Sequence, residues 1–136
     1  VERSPDLQRT LANIVIEAMR VAEAWGVRLM AFDEFDPALF RAAAAGDAAG
    51  VEKAMGTIAA HYRRHTKIKT GVWRDLAVRK RRTEVNAQVG IIVAKGAARG
   101  IPTPFASRLV ELIHDIEEGR RQMAWENLAI LGAAAR

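Results

Sequence analysis

The sequence predicts an all-α fold of about six helices, and three observations carry the prediction. Half of the 136 residues are apolar, yet aromatics make up only 6% and prolines number four, too few of the aromatic and β-branched runs that build sandwiches and barrels. Apolar residues recur at alternating steps of three and four, the period of one helix face. Ser4-Pro5, Asp36-Pro37 and Thr103-Pro104 each offer a capping side chain followed by a first-turn proline, and glycines stand where helices should stop. A chain of this length suffices for one compact helical domain, 1–136, burying about two thirds of its unfolded surface.

The elements follow in order. Leu7, Leu11, Ile14, Ala18, Val21 and Trp25 line one face of a first helix that Gly26 ends, with Ile16, Ala22 and Ala24 widening the stripe. Asp36-Pro37 opens a short helix to about Ala45, which Gly46 to Gly50 breaks. A third helix then carries Val51, Met55, Ile58 and Tyr62 inward and ends near His65. From Thr66 to Arg82 the pattern is open, with Gly71 as punctuation and a helical turn or two around Trp73, Leu76 and Ala77. Thr83 is expected to cap a helix holding Glu84 in its first turn, where a carboxylate is favoured by unpaired amides and the helix dipole. That helix continues through Val89, Ile92 and Val93 to Arg99. Gly90 and Gly96 inside it cost about 1 kcal/mol each against alanine, which predicts a close backbone approach there. Thr103-Pro104 begins a helix with Phe105, Leu109, Leu112, Ile113 and Ile116 inward. A last helix holds Met123, Trp125, Leu128 and Leu131.

Charge is concentrated in one place. Between His61 and Arg82 stand nine Lys or Arg (Arg63, Arg64, Lys67, Lys69, Arg74, Arg79, Lys80, Arg81 and Arg82) against the single acid Asp75, a local +8 in a chain of net +5. Such a segment can meet an anion, though it does not say which. With no cysteine in the chain, disulfides and thiolate metal ligands are excluded, and a reducing compartment is compatible. The longest charge-free apolar stretch, Val85 to Ala94, is far short of the roughly twenty residues that cross a bilayer. Charged residues also interrupt the N-terminus too often for a signal peptide. A soluble, cytoplasmic protein with no membrane partner is expected.

Glu84 is the leading candidate for chemistry. Beside Arg81, Arg82 and Thr83 it is either a substrate-binding carboxylate, oriented by charged donors, or an ordinary first-turn acid. The basic segment offers a second reading, an interaction module that binds nucleic acid or an acidic partner by neutralising charge. Against nucleic acid, Trp73 is the lone aromatic for base stacking and no helix-turn-helix or zinc pattern is present. His61 and His65 have the i, i+4 spacing of a metal pair, but no third ligand is evident and Arg63 and Arg64 would repel a cation, so no metal site is expected. His114 reads as packed, and Trp25, Trp73 and Trp125 read as core or interface anchors. No serine–histidine–acid set, phosphate-cradling loop or Gly-x-Gly-x-x-Gly after a strand occurs.

The strings Arg82-Thr-Glu-Val-Asn-Ala-Gln-Val-Gly90 and Gly100-Ile-Pro-Thr-Pro104 resemble the C-terminal domain of ketopantoate reductases (2-dehydropantoate 2-reductases). Leu11-Ala-Asn through Glu17, Val21-Ala-Glu-Ala-Trp-Gly26 and Trp73-Arg-Asp-Leu76 extend the resemblance, which covers most of Leu7 to Leu112. It implies a helical domain of the 6-phosphogluconate dehydrogenase C-terminal-like kind. In the family this domain closes over an N-terminal Rossmann domain that binds NADPH, and hydride passes to a 2-keto acid. By motif, Glu84 falls on the glutamate that hydrogen-bonds substrate. Thr70 and Gly71 fall where the family offers a serine to the substrate, and since glycine has no side-chain donor, Thr70 would have to serve. Asp75 falls on a motif acid with a structural role. The family's general-acid lysine belongs to a helix preceding Leu7, and no dinucleotide fingerprint is present. The chain is therefore expected to be a fragment or separate domain, inactive alone, binding no cofactor itself and able to form a homodimer. The helix from Arg120 to Leu131 extends beyond the family pattern.

Overall fold

The computed structural model describes residues 4–64 and 69–134. Its regular elements are all helical, as expected, and an isolated bridge between Phe32 and Phe35 is the only β pairing among the described residues. Chain contacts divide it into two compact units, Val1–Ile68 and Lys69–Arg136.

The first unit holds α1 (Pro5–Ala24), α2 (Pro37–Ala44) and α3 (Ala48–Arg64). The start and stop of α1 match the sequence: Ser4 Oγ accepts from the Leu7 amide at 3.5 Å, Pro5 opens the first turn, and Gly26 takes φ +77° beyond the end. Its packing face differs from the expected stripe. Ala12, Ile16 and Met19 join Phe40 and Ala43 of α2 and Val51, Ala54 and Met55 of α3 in one core, while Leu7, Leu11, Ile14 and Ala18 are half-buried and Trp25 is exposed. Hydrophobic size favours the Leu/Ile stripe, but helices approach most closely where residues are small, and that face carries Ala12 against Ala43 and Ala54.

The break between α2 and α3 is shorter than expected. Asp36 Oδ1 accepts from the Ala38 amide at 2.9 Å to start α2, Gly46 ends it at φ +96°, and Asp47 Oδ1 immediately caps α3 through the Ala49 amide at 3.0 Å. Gly50 is thus inside α3. A Cβ there would stand 3.1 Å from Ala43 N, so glycine is what lets these two helices touch. Tyr62, expected inward, is exposed because it lies a full turn beyond Ile58, where the core ends.

In the second unit α4 (Gly71–Arg74) passes directly into a π-helical turn, Asp75–Arg79, resolving the stretch that the sequence left open. A second π-helical turn, Asn86–Gly90, leads into α5 (Ile91–Ala97), and α6 (Pro104–Glu117) and α7 (Glu126–Gly132) complete the unit. Val85, Phe105, Ala106, Leu112, Ile113 and Leu131 are its buried apolar residues. The close approach expected at Gly90 is local, since a Cβ would meet the same helix's Asn86 Oδ1 at 3.3 Å. The last helix begins later than expected, so Met123 and Trp125 precede it and are exposed, Trp125 by 75%. Among the described residues no helix is long and apolar enough to cross a membrane.

Candidate functional site

The two π-helical turns flank the loop that carries Glu84, and each end of the loop is fastened by one acid. At the near end, buried Asp75 accepts hydrogen bonds at Oδ1 from Arg79 Nη1 at 2.9 Å and Arg81 Nε at 2.8 Å. These two guanidinium bonds hold the Asp75 carboxyl below its ordinary range against the opposing pull of burial. The Asp75 carbonyl also accepts the amides of Lys80 and Arg81. Closing the turn in this way puts Lys80 in the left-handed region at φ +51°, a conformation that costs a residue with a Cβ about 1 kcal/mol or more. Asp75 therefore has the structural task that the motif implied.

At the far end, Glu117 Oε1 on α6 accepts from both the amide and the hydroxyl of Thr83, each at 2.7 Å. Burial pushes the Glu117 carboxyl upward, but the Thr83 amide and hydroxyl outweigh it and, with His114 and Arg82 nearby, hold it below its ordinary value. Thr83 Oγ1 in turn accepts from the Val85 amide at 3.2 Å, the capping role expected of it. Sequence reasoning missed Glu117. The signal was available: Glu117 and Glu118 sit at the negative end of the α6 dipole, where an acid is disfavoured unless something engages it. Glu118 likewise meets Arg82 at 3.8 Å and forms an ion pair with Arg120.

Glu84 stands between these anchors. Its carbonyl accepts the Ala87 and Gln88 amides at 3.0 and 3.1 Å, so it begins the helix that contains the second π-turn. Its side chain is exposed and takes a single long hydrogen bond from Gln88 Nε2 at 3.4 Å. It lines none of the three hollows described in the chain. Thr70 and Gly71 are exposed too, and neither hydrogen-bonds Glu84. Thr70 Oγ1 caps α4 by accepting from the Trp73 amide at 3.1 Å, which fixes the hydroxyl while leaving its proton to donate. A Cβ on Gly71 would meet nothing within 4 Å.

Four of the nine basic residues meet an acid of their own unit among the described residues, and a fifth meets an aromatic ring. Arg79 and Arg81 bind Asp75, Arg82 meets Glu118, Arg64 pairs with Glu34, and Lys69 lies 4.6 Å over the Trp73 ring. His61 Nδ1 also meets Glu34, while His65 and Lys67 lie outside the described residues. Among the described residues no three His, Asp or Glu form a metal-binding group. Among the described residues no strand is followed by a glycine-rich turn of the kind that holds a dinucleotide.

The chain thus presents an all-helical domain with a Thr-Glu loop fastened ahead of a Gly-Ile-Pro-Thr-Pro turn. Residues 1–117 match the family described as ketopantoate reductase PanE/ApbA C terminal, so the chain belongs to the ketopantoate reductase family. No curated protein and no solved structure matches the chain.

Proposed function

We propose that this chain is the substrate-side helical domain of a cytoplasmic, NADPH-dependent reductase of a 2-keto acid such as 2-dehydropantoate. The observation that carries the reading is the Thr83-Glu84 loop, matched by the family and fastened at both ends by Asp75 and Glu117. Such fastening fixes the backbone of Glu84 and leaves its carboxylate uncommitted, which is what a group that must hydrogen-bond an incoming ligand requires. Thr70 is a second donor on the substrate side, preset by its own cap. NADPH, held by a Rossmann domain, supplies the hydride; the residues of this chain bind and orient the acid. The exposure of Glu84 accords with a cleft that the other domain completes, and a homodimer is compatible with the exposed apolar residues Val27, Met30 and Phe32. Four of the nine basic side chains, Arg64, Arg79, Arg81 and Arg82, are engaged by acids, which weakens the alternative of a nucleic-acid or acidic-partner module.

The test is Glu84→Gln in the intact two-domain enzyme, assayed with 2-dehydropantoate. Loss of a charged hydrogen bond to substrate should lower kcat/KM by about a hundredfold. The melting temperature should stay unchanged, because the side chain has only one long intramolecular bond. Kinetics indistinguishable from the unaltered enzyme would remove Glu84 from the site.

A further inference from the structure

A hollow of about 210 Å³ opens beside the Glu84 loop, within the second unit. Its charged lining is Lys80 and Arg81 from the loop, Arg121 from the segment after α6, and the acid Glu117 at the end of α6; its apolar lining is Leu76, Ile116 and Met123. Three features make it more than a surface dent. First, Lys80 is held at φ +51° and its ammonium makes no ion pair among the described residues, so a cation lines the hollow from a backbone conformation that disfavours a side chain. Second, Arg121 is only loosely committed: Nη1 reaches Asn127 Oδ1 at 3.4 Å, Asp115 Oδ2 stands 3.9 Å from Nε, and that buried Nε has no hydrogen-bond acceptor among the described residues. Third, Glu117, the acid that lines the same hollow, is already bound by Thr83, which draws its charge away from the interior.

We infer that this hollow binds a small organic phosphate, its phosphoryl group between Lys80, Arg81 and Arg121 and its short apolar portion against Leu76, Ile116 and Met123. Three cations around one hollow, of which Arg81 is bound to Asp75 through Nε at 2.8 Å, suit a dianion with three acceptor oxygens better than a monoanionic carboxylate. The volume lies below that of drug-sized pockets, which limits the ligand to a few carbons beyond the phosphate. Gly119, Arg121, Gln122 and Met123 line the hollow beyond the 117 residues that match the family, while Lys80 and Arg81 lie within the match, and the inference does not rest on the keto-acid reading.

The probe is n-butyl phosphate, titrated calorimetrically into the 136-residue chain at low ionic strength and at a pH where the phosphate is dianionic. Saturable sub-millimolar binding is expected, with inorganic phosphate and butyrate each weaker by about tenfold, roughly one good interaction. Lys80→Gly should weaken binding by about tenfold while keeping or raising the melting temperature, since glycine accepts the left-handed conformation without strain. Arg121→Gln should weaken it similarly, and Lys53→Gln, on α3 in the other unit, should not change it. The assignment is overturned if butyl phosphate shows no saturation, if Lys80→Gly binds as tightly as the parent chain, or if butyrate or inorganic phosphate binds as tightly as butyl phosphate.

Discussion

Both units are helical and both use acids, Glu23 with Arg41 and Glu34 with Arg64 in the first, but in the second the acids fasten the loop that carries Glu84. The first joins three helices around a contiguous apolar core in which Phe40 and Ala54 are almost completely buried. The second also buries apolar residues, but its loops depend on acids: Asp75 on Arg79 and Arg81, Glu117 on Thr83, Asp115 on Arg120. Apolar burial is non-directional and tolerates small shifts, whereas hydrogen bonds to a carboxylate fix position within tenths of an ångström. Directional bonds surround the loop bearing Glu84, the proposed substrate contact, where position would matter most. The first unit has the character of a scaffold.

The largest effect should come from that scaffold. Phe40→Ala removes a ring that is 1% exposed from the centre of the core and should cost about 3–5 kcal/mol, read as a fall in the urea midpoint. A cost below about 1 kcal/mol would mean that the core is not the main support of the first unit. A smaller loss is expected in the second unit. Thr83→Ala removes the hydroxyl that binds Glu117 and caps Val85, and should cost about 2 kcal/mol. This loss should depend on pH in a defined direction. Glu117 and Asp75 both have carboxyls lowered on folding, so their stabilisation is complete above the unfolded carboxylate range and is lost as pH falls through about 4.5 and below. Thr83→Ala should therefore show a shallower acid destabilisation than the parent chain. An unchanged acid limb in circular-dichroism melts would show that the Glu117 bond does not support the loop.

The same division explains what could be read from the sequence. Helix starts were legible because Ser4-Pro5 and Asp36-Pro37 cap within one turn, whereas at Thr103-Pro104 the proline marks the start and the Thr103 side chain makes no capping bond. The Thr83-Glu84 element was legible for the same reason, helped by its family motif. The face that α1 buries was not, because packing selects a residue as small as Ala12, and a hydrophobic stripe conceals it. The π-helical turns were not legible either, since their five-residue bonds leave no periodic signature in stretches this short. Glu117 lies 34 positions from Thr83, and the hollow at Lys80 joins the loop to residues around Arg121; neither pairing leaves a trace within a single helical turn.

The smallest effect tests the site directly. Gly71 stands in the first turn of α4, exposed, with open space where a Cβ would be. Gly71→Ser should therefore fold without a clash and gain a few tenths of a kcal/mol from reduced unfolded-state freedom. In the intact enzyme the new hydroxyl stands beside the capped Thr70, at the position where the family resemblance places a serine. One added hydrogen bond to a charged acid should lower KM for 2-dehydropantoate by about threefold to tenfold, with kcat little changed if the bond is equal in ground and transition states. Glu84→Gln in the same background should lose its usual share of kcat/KM, since the two contacts would lie on different parts of the substrate and add independently. A Gly71→Ser enzyme that is stable but has unaltered KM would mean that the start of α4 does not reach the substrate, leaving Glu84 as the chain's contact with it.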